Sequence, residues 1–355
     1  MRSFDYLALA KKSWDTDILN LVARIHEYKG RQELLITQKP AELDRLVEIA
    51  RIQSTEASNK IEGIVTTSTR MKQLFADKTT PRNRDEREIM GYRDVLNTIH
   101  ESHEFIPIRL SYILQLHRDL LKRAGLSYGG QLKTVQNYIN ETKPDGTSMT
   151  RFTPVPPYET EAAVIAICAA YEKAIVSELI DPLILIPVFI CDFLCIHPFN
   201  DGNGRMSRLL TLLLLYKNGY NVGKYISMEK QIEKTKDRYY EVLEGANAGW
   251  HEERNDPIPF IRYLLQVILS CCTEFEDRVG QMAAISVKST SYDVVRRFVE
   301  GKIGKFASSD VVANCPGVGR SSILSALTKL VEEGTLMRYG RGRSTYYVRA
   351  DSSDD

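Results

Sequence analysis

The chain has 355 residues and a mass of 40.4 kDa, which favours two or three domains. Hydrophobic residues make up 43% of it and charged residues 26%, so a large core can form and a disordered chain is excluded. Lys and Arg number 47 against 46 Asp and Glu, and this net charge of +1 excludes a polycation that coats nucleic acid or membranes by bulk charge. Any nucleic-acid contact must therefore come from a local patch.

The first residues and the cysteines indicate a compartment. No apolar run typical of a signal peptide opens the chain, and the most apolar segment, 183–196, is too short to span a bilayer. The six cysteines form no C-x-x-C pair, a pattern typical of reduced, packed thiols. We therefore expect a cytoplasmic protein without a membrane partner. His100 and His103 lie three residues apart without thiolate or carboxylate partners, so we expect a solvated helix face there and no metal site.

Helical periodicity dominates the first two thirds of the chain. In 41–62 apolar residues recur at spacings of three, four or seven, and Gly63 follows as a natural helix end. The same pattern predicts further helices at 84–100, 108–123, 159–177, 184–196, 205–218, 235–248 and 257–272.

The exception to this helical pattern is the segment 130–157. A β-rich stretch at 133–140, a turn at 144–146 that reads Pro-Asp-Gly and a second extended stretch at 151–155 predict a hairpin. A lone hairpin on a helical body has no sheet to join. We therefore expect it to lie as a flap over a site.

The composition changes near 285–290, which marks a linker. Beyond it, helices are predicted at 292–300, 308–313 and 321–333, followed by short strands at 336–339 and 345–348. This order is typical of a winged helix. An acidic tail at 351–355 ends the chain.

The predicted winged helix is the basic part of the molecule. Residues 292–350 contain ten Lys and Arg against five Asp and Glu. Arg320 opens the second helix of the helix–turn–helix, and Arg341 and Arg343 lie at the tip of the wing. The pattern predicts either DNA binding or protein docking, and it does not separate the two.

One stretch of twelve residues, 197–208, carries the chemistry and reads His-Pro-Phe-Asn-Asp-Gly-Asn-Gly-Arg-Met-Ser-Arg. It lies between two apolar helical segments, so we expect a loop followed by the start of a helix. Gly202 and Gly204 allow a tight turn and close approach of a ligand. Main-chain amides at the start of the helix then form a cradle for an anion.

The side chains of this stretch fit a bound phosphate. Arg205 and Arg208 are three residues apart and should share a helix face. Two guanidinium groups at a helix N-terminus oppose the macrodipole, which makes sense if phosphate lies between them. Asp201 is the only carboxylate in the loop and can hold Mg²⁺, and His197 can accept a proton near neutral pH.

This stretch resembles the signature of the Fic family, H-P-F-x-[D/E]-G-N-G-R-x-x-R, at every specified position. Fic proteins are helical, and most are protein adenylyltransferases, which move AMP from ATP to a hydroxyl of a target protein and release pyrophosphate. The resemblance implies that His197 is the general base for a Ser, Thr or Tyr hydroxyl and that Asp201 binds Mg²⁺ or Mn²⁺. It also implies residues that contact the phosphates or fix the loop, namely Gly202, Asn203, Gly204, Arg205 and, at the γ-phosphate, Arg208.

A second motif lies upstream, at 58–63, which reads Ser-Asn-Lys-Ile-Glu-Gly and is similar to the family's inhibitory-helix motif, [S/T]-x-x-x-E-[G/N]. Ser58 and Glu62 are one helical turn apart and point the same way. The resemblance implies that Glu62 pairs with Arg208, in a bidentate geometry, and takes the place of the γ-phosphate. Gly63 completes the motif.

Two further sets of residues resemble family features. The hairpin around 134–140, with Ile139 and Asn140, resembles the flap that lays a target segment across the site by strand addition. On the predicted helix 235–248, Tyr239, Tyr240 and Asn247 resemble the adenine side of the nucleotide site. Ordinary helix packing is the alternative for the two tyrosines.

These features predict a mainly α protein: a helical Fic-type core with a β-hairpin flap, and a small α+β winged-helix domain. The expected division is a helical region at 1–105 carrying the inhibitory helix at 41–63, a catalytic core at 106–285 and a winged helix at 290–350. Two alternatives to AMP transfer stay open, removal of AMP at the same site and a DNA-binding regulator whose core senses nucleotide. A homodimer is one option for the oligomeric state.

Overall fold

A computed structural model describes residues 2–38, 40–142, 148–286, 290–302 and 304–350. The predicted turn at 144–146, the middle of the predicted linker at 287–289 and the acidic tail at 351–355 lie outside the described residues.

Helices make up most of the described chain, which confirms the predicted fold class. They are α1 Thr16–Gln38, α2 Pro40–Ile61, α3 Ser68–Phe75, α4 Arg84–Ser102, α5 Leu110–Lys122, α6 Pro157–Ser177, α7 Pro182–Ile196, α8 Asn203–Lys217, α9 Met228–Lys234, α10 Lys236–Asn247, α11 Ile258–Ser286, α12 Ser291–Glu300, α13 Ser308–Asn314 and α14 Arg320–Glu332. Two antiparallel strand pairs accompany them, β1 Ile139–Thr142 with β2 Ser148–Phe152 and β3 Leu336–Tyr339 with β4 Tyr346–Arg349.

The chain divides into two compact units. The first consists of Met1–Arg31 and Val47–Cys272, and the second of Gln32–Leu46 and Thr273–Asp355. Neither the boundary predicted near 105 nor the one predicted at 285–290 coincides with this division. The three-part domain organisation therefore stays a prediction.

The core of the first unit surrounds α7 and α8. Both helices are buried over almost their whole length. Helix α7 is apolar on nearly every side, whereas α8 buries polar residues of its first turns, including Arg205 and Arg208, together with its leucines. Helix α7 packs against α6, α8 and α10, and α4 packs against α5 and α8. The loop between α7 and α8 is therefore anchored at both ends in rigid, buried helices.

The second unit has its own small core. Helix α14 packs against α12, α13 and β3, and burial is complete or nearly so for Val295, Val299, Ile323 and Leu327. The rings of Phe306 and Tyr347 stack with centroids 6.0 Å apart, and each residue's N–H donates to the other's carbonyl oxygen. The second strand runs from Tyr346 to Arg349, one residue later than predicted.

Several elements differ from the sequence-based expectation. Helices α1, α3 and α9 were not predicted as separate elements, although α1 and α3 fall within the helical region expected at 1–105. Only Ile139–Thr142 of the β-rich stretch is a strand, and 133–138 is irregular. Helix α11 continues to Ser286, beyond its predicted end at 272.

Helix α11 is also long and apolar enough by composition to cross a membrane over Ile258–Gly280, where its mean hydropathy is 1.3. However, 61% of that window is buried. A buried core helix passes the same test, so this helix is weak support for a membrane span.

Candidate active site

The loop between α7 and α8 turns through two left-handed residues. His197 ends α7 with φ of 50° and ψ of 62°, and its N–H donates to the carbonyl of Phe193 over 3.0 Å. Gly202 precedes α8 with φ of 82°, a conformation that favours glycine because a Cβ would be strained there. The sequence Gly-Asn-Gly thus starts the helix immediately after the turn.

Two side chains hold the middle of this loop. Asn203 donates from Nδ2 to the carbonyl of Phe199 over 2.7 Å and accepts the Phe199 N–H at Oδ1 over 2.9 Å. His117 stacks on the ring of Phe199 with centroids 3.6 Å apart. The loop-fixing role expected of Asn203 therefore has a geometric basis.

His117 also forms hydrogen bonds to two main-chain groups, one through each of its ring nitrogens. Its Nδ1 accepts the Gly130 N–H over 3.0 Å, so its proton is on Nε2, which donates to the carbonyl of Asp201 over 3.0 Å. Burial lowers the pKa of His117 to about 4, which keeps the ring neutral at pH 7. Sequence reasoning missed this residue, since nothing in its spacing ties it to the loop.

His197 presents an imidazole with one nitrogen available. Its Nδ1 lies 3.3 Å from the carbonyl oxygen of Leu194, and when Nδ1–H donates there, Nε2 carries the free lone pair. Burial lowers the pKa of His197 to about 4, and the nearby charge of Lys133 acts in the same direction. The ring is therefore a neutral proton acceptor at pH 7.

A cavity of about 700 Å³ opens in front of His197. Helix α8, helix α10, the flap strands and the end of α2 all contribute to its wall. Its lining includes Glu62, Ile139, Arg151, His197, Gly204, Arg208, Tyr239, Tyr240, Glu244, Asn247 and Trp250.

Arg208 is buried at the wall of this cavity and is fully engaged by the end of α2. Its Nε donates to Oγ of Ser58 over 2.8 Å, and one terminal nitrogen, NH2, donates to the carbonyl of Ser58 over 3.0 Å and to Oε1 of Glu62 over 2.7 Å. Burial opposes the guanidinium charge, but the Glu62 carboxylate, together with the nearby Tyr239 and Tyr92, raises the pKa of Arg208. The expected bidentate pair is thus corrected to a single contact with Glu62, because Ser58 takes the Nε donor.

Glu62 also lies against the first turn of α8. A Cβ built on Gly204 would lie 2.2 Å from Oε1 of Glu62, so only glycine leaves room for the carboxylate. The first N–H groups of a helix have no partner within it and attract anions. Glu62 therefore occupies an anion position between a helix N-terminus and Arg208.

Arg205 does not line the cavity, in contrast to the expectation for a phosphate ligand. Its side chain is 1% exposed and forms an ion pair with Glu88 over 2.7 Å, with Asp201 3.6 Å away. Arg205 thus braces the loop from behind while Arg208 faces the cavity, and contact of Arg205 with phosphate stays a prediction.

Asp201 is the residue expected to bind a metal. Its side chain is 43% exposed, its Oδ1 accepts the Gly202 N–H over 2.6 Å, and Arg84 lies 3.7 Å from Oδ2. Among the described residues there is no group of three or more His, Cys, Asp or Glu side chains that could hold a metal ion. A lone exposed carboxylate fits Mg²⁺ when phosphate oxygens and water supply the remaining ligands.

The residues expected on the adenine side lie together on α10. Tyr239 is buried, with its ring 5.3 Å from that of Tyr240, and burial raises the pKa of its phenol. Asn247 accepts a hydrogen bond at Oδ1 from the thiol of Cys195 over 2.9 Å. All three expected residues line the cavity. For the two tyrosines, both alternatives therefore stay open: ordinary helix packing and contact with a ligand.

Of the two flap residues expected at the site, only one lines the cavity. Ile139 lines the cavity, whereas Asn140 is exposed and accepts a hydrogen bond from Thr150 Oγ1. The pairing shifts between these two residues, which is a β-bulge. Arg151 on β2 forms an ion pair with Glu244 on α10, so this side of the flap is tied to the cavity wall.

The basic residues of the predicted winged helix belong to the second unit. Arg320 begins α14, and Arg341 is exposed between β3 and β4. The side chain of Arg343 lies outside the described residues.

Comparison with known families and proteins agrees with the resemblance noted in the sequence. Residues 107–215 match the sequence model of the Fic/DOC family. Protein adenylyltransferase fic-1 of Caenorhabditis elegans is 29% identical over 185 residues, which are 51% of this chain and 32% of that protein. Protein adenylyltransferase Fic of Drosophila yakuba is 26% identical over 278 residues, 75% of this chain and 50% of that protein.

Solved structures share the fold. A Fic family protein from Desulfovibrio desulfuricans G20 superposes with a TM-score of 0.61 at 20% identity, covering 97% of this chain and 99% of that one. Fic-1 of C. elegans (residues 134–508) gives a TM-score of 0.60 at 21% identity, covering 77% and 74%. The chain spans between a third and a half of the length of these curated relatives.

Proposed function

We propose that this chain, which carries a Fic domain and has protein adenylyltransferases among its homologues, transfers AMP from ATP to a Ser, Thr or Tyr hydroxyl of a target protein. The observation that carries the proposal is one cavity that unites the neutral imidazole of His197, the start of α8 at Gly204 and the guanidinium of Arg208. These groups match the three needs of the reaction: a base, an anion cradle and a cation for the outer phosphate.

The transfer takes place at the α-phosphorus of ATP. The target hydroxyl loses its proton to Nε2 of His197, and its oxygen forms the new bond to the α-phosphorus. The bond from that phosphorus to the bridging oxygen breaks, and pyrophosphate leaves with the electron pair. A base that is neutral at pH 7 suits the first step, since a protonated imidazole cannot accept the proton.

The main-chain amides at the start of α8 and the guanidinium of Arg208 hold the phosphates. These donors are fixed before the substrate arrives, so charge that develops on the phosphate oxygens is stabilised without reorganisation of the protein. Asp201 would hold a Mg²⁺ ion, or Mn²⁺ in its place, together with phosphate oxygens. When bound, the ion supplies charge neutralisation on the leaving pyrophosphate.

Glu62 restrains this activity in the proposal. Its carboxylate contacts both Arg208 and the first turn of α8, the two groups that the γ-phosphate needs. Bound ATP then lacks its outer contacts, and the α-phosphorus is out of line with the incoming hydroxyl.

Labelling with radioactive ATP tests the proposal. Cell lysate incubated with the Glu62→Gly chain should incorporate label from α-³²P-ATP and none from γ-³²P-ATP, with less label for the unchanged chain and none for His197→Ala. Glu178→Gly is a control, because Glu178 also follows a helix end and is exposed but does not line the cavity. Equal labelling from the γ-phosphate would contradict AMP transfer and point to phosphate transfer.

Removal of AMP from a modified protein is the second candidate. The observation that favours it is the position of Glu62, which is 31% exposed in the cavity and can orient a water molecule. To distinguish removal from transfer, a target protein labelled with AMP by the Glu62→Gly chain is mixed with the unchanged chain, and the label that remains is measured. Loss of label that requires Glu62 supports removal, and stable label contradicts it.

We also propose that the second unit binds DNA through its predicted winged helix. Exposed Arg320 and Arg341 at the start of α14 and between the strands support this proposal. Duplex binding should weaken with salt and be lost in Arg341→Ala/Arg343→Ala. Duplex binding that is unchanged in this variant would contradict DNA binding through the wing and leave protein docking as the alternative.

We propose a cytoplasmic location, where buried thiols such as Cys191 and Cys195 stay reduced.

A further inference from the structure

Residues 133–137, just before strand β1 of the flap, form hydrogen bonds to main-chain carbonyl groups of the loop that carries His197. Four consecutive carbonyl oxygens, those of 196–199, each accept a hydrogen bond from Lys133 or Asn137. The bonds run from Lys133 Nζ to Ile196 over 2.9 Å, from Lys133 N to Pro198 over 2.9 Å, and from Asn137 Nδ2 to His197 over 3.2 Å and to Phe199 over 3.0 Å. The segment therefore fixes both the end of α7 and the residue that carries the imidazole.

Lys133 is unusual because its ammonium group is almost completely buried. The residue is 2% exposed, and Nζ also donates to Oδ1 of Asn137 over 2.9 Å, which links the two loop-holding residues. Burial of a charge costs free energy unless polar groups compensate. Here the compensation comes from the carbonyl end of α7, where the helix macrodipole favours a cation.

We propose that Lys133 is a positioning residue for His197: it places the imidazole by holding the main chain at 196 and 198. The consequence for catalysis rests on the proposed AMP transfer. The placement of the imidazole does not, since it follows from the contacts alone.

The charges of Lys133 and Glu62 have opposite effects on the pKa of His197. Burial is the largest influence on the imidazole, Lys133 lowers its pKa further, and Glu62 raises it. The other ionisable groups that line the same cavity are Arg151, Arg208, Tyr239, Tyr240, Glu244, His251 and Glu252. These residues are the same in the Lys133 variants, so a difference in the pKa of His197 is due to the change at Lys133.

The test compares Lys133→Met with Lys133→Arg in the Glu62→Gly chain. NMR of the histidine rings, assigned with His197→Ala, measures the pKa of His197 without any substrate. It should rise by about one pH unit in Lys133→Met and stay near its starting value in Lys133→Arg. Lys29→Met is a matched control, because Lys29 Nζ also donates to a helix-end carbonyl, that of Asn218, away from the cavity.

Kinetics on the same variants give the second readout. With α-³²P-ATP, kcat should fall about tenfold or more in Lys133→Met, with KM for ATP within about twofold, and Lys133→Arg should restore most of kcat. An unchanged His197 pKa together with an unchanged kcat in Lys133→Met would overturn the proposal.

Two safeguards keep the outcome decisive. If Lys133→Met does not fold, Asn137→Ala takes its place: it removes the bonds to 197 and 199, should lower kcat about tenfold, and overturns the proposal if kcat is unchanged. If the Glu62→Gly parent shows no transfer at all, the proposed function fails. The NMR comparison of Met and Arg at position 133 then still decides whether Lys133 controls the imidazole.

Discussion

Glu62 and Gly204 depend on each other at the scale of single residues. The carboxylate fits against the first turn of α8 only because position 204 has no Cβ. The family motifs pointed to both residues, one in the inhibitory helix and one in the active loop. The contact between them was not predicted, because the motifs fix residue types and not which face of α8 the carboxylate approaches.

Gly204→Ala should therefore destabilise the unchanged chain and have little effect once Glu62 is gone. The added methyl group displaces the Glu62 carboxylate from Arg208, at a cost of about 1–3 kcal/mol in the free energy of unfolding. In Glu62→Gly the same methyl group has no carboxylate to displace. Denaturant unfolding of the two single variants and the double variant measures this coupling, and strictly additive losses would contradict it.

His100 is a residue whose surroundings the sequence described wrongly. The expected solvated face is replaced by packing against Tyr216, whose hydroxyl lies 3.2 Å from Nε2 and whose ring centroid is 5.5 Å away. Burial lowers the pKa of His100 to about 3, and the charge of Lys224 adds to this effect. Spacing along one helix cannot reveal a partner that comes from another part of the chain.

This shift makes stability depend on pH in a defined window. The unfolded chain binds a proton on His100 below its ordinary pKa of 6.5, while the folded chain resists protonation down to about pH 3. The free energy of unfolding should therefore decrease as pH falls from 6.5 towards 3, by at most about 1.4 kcal/mol per pH unit from this residue. His100→Gln should show a shallower slope in denaturant titrations between pH 7 and 4. Parallel curves for the two chains would contradict the assignment.

At the scale of elements, the end of α2 determines where Glu62 lies. The Ile64 N–H donates to the carbonyl of Asn59 and the Gly63 N–H to that of Lys60, both over 3.0 Å, which is a Schellman motif. Gly63 has φ of 81°, a conformation in which glycine is favoured. The sequence predicted this helix end to within one residue, because a glycine after an amphipathic helix is a strong local signal.

Gly63→Ala should loosen inhibition through this helix end. Alanine in the left-handed conformation costs about 1 kcal/mol, which favours unwinding of the last turn and release of Glu62 from Arg208. Transfer of α-³²P label should increase several-fold over the unchanged chain. Gly125→Ala is the matched control, since Gly125 also follows a helix, has φ of 68° and would likewise bring its Cβ into open space. An equal increase in both variants would show that general loosening, and not Glu62, is responsible.

The segment before the flap shows what local patterns miss. The residues at 133–138 have the composition of a strand, but Lys133 and Asn137 direct their donors to the loop after α7. Those carbonyl groups are more than fifty residues away in sequence. Tertiary hydrogen bonds thus override the local β preference, and a single sequence carries no signal for them.

At the scale of the whole molecule, the order of elements followed from periodicity and from one dense motif. The burial of α7 was predictable, because a helix that is apolar on nearly every side must be buried. The division into two units was not, since Gln32–Leu46 belongs with residues far along the chain. The cavity residues likewise come from α2, α8, α10 and the flap, and the motifs identified eight of the twenty, among them Glu62, His197 and Arg208. His117 and Lys133, which hold the loop from outside the cavity lining, went unnoticed.

Nucleotide affinity measures directly whether Glu62 holds the place of the γ-phosphate at Arg208, as we propose. Isothermal titration calorimetry compares ATP with ADP, which lacks the γ-phosphate, on the unchanged chain and on Glu62→Gly. We expect nearly equal affinities for the unchanged chain and about tenfold tighter binding of ATP than of ADP by Glu62→Gly, because the released guanidinium then contacts the γ-phosphate. The same ratio of ATP to ADP affinity in both chains would contradict it.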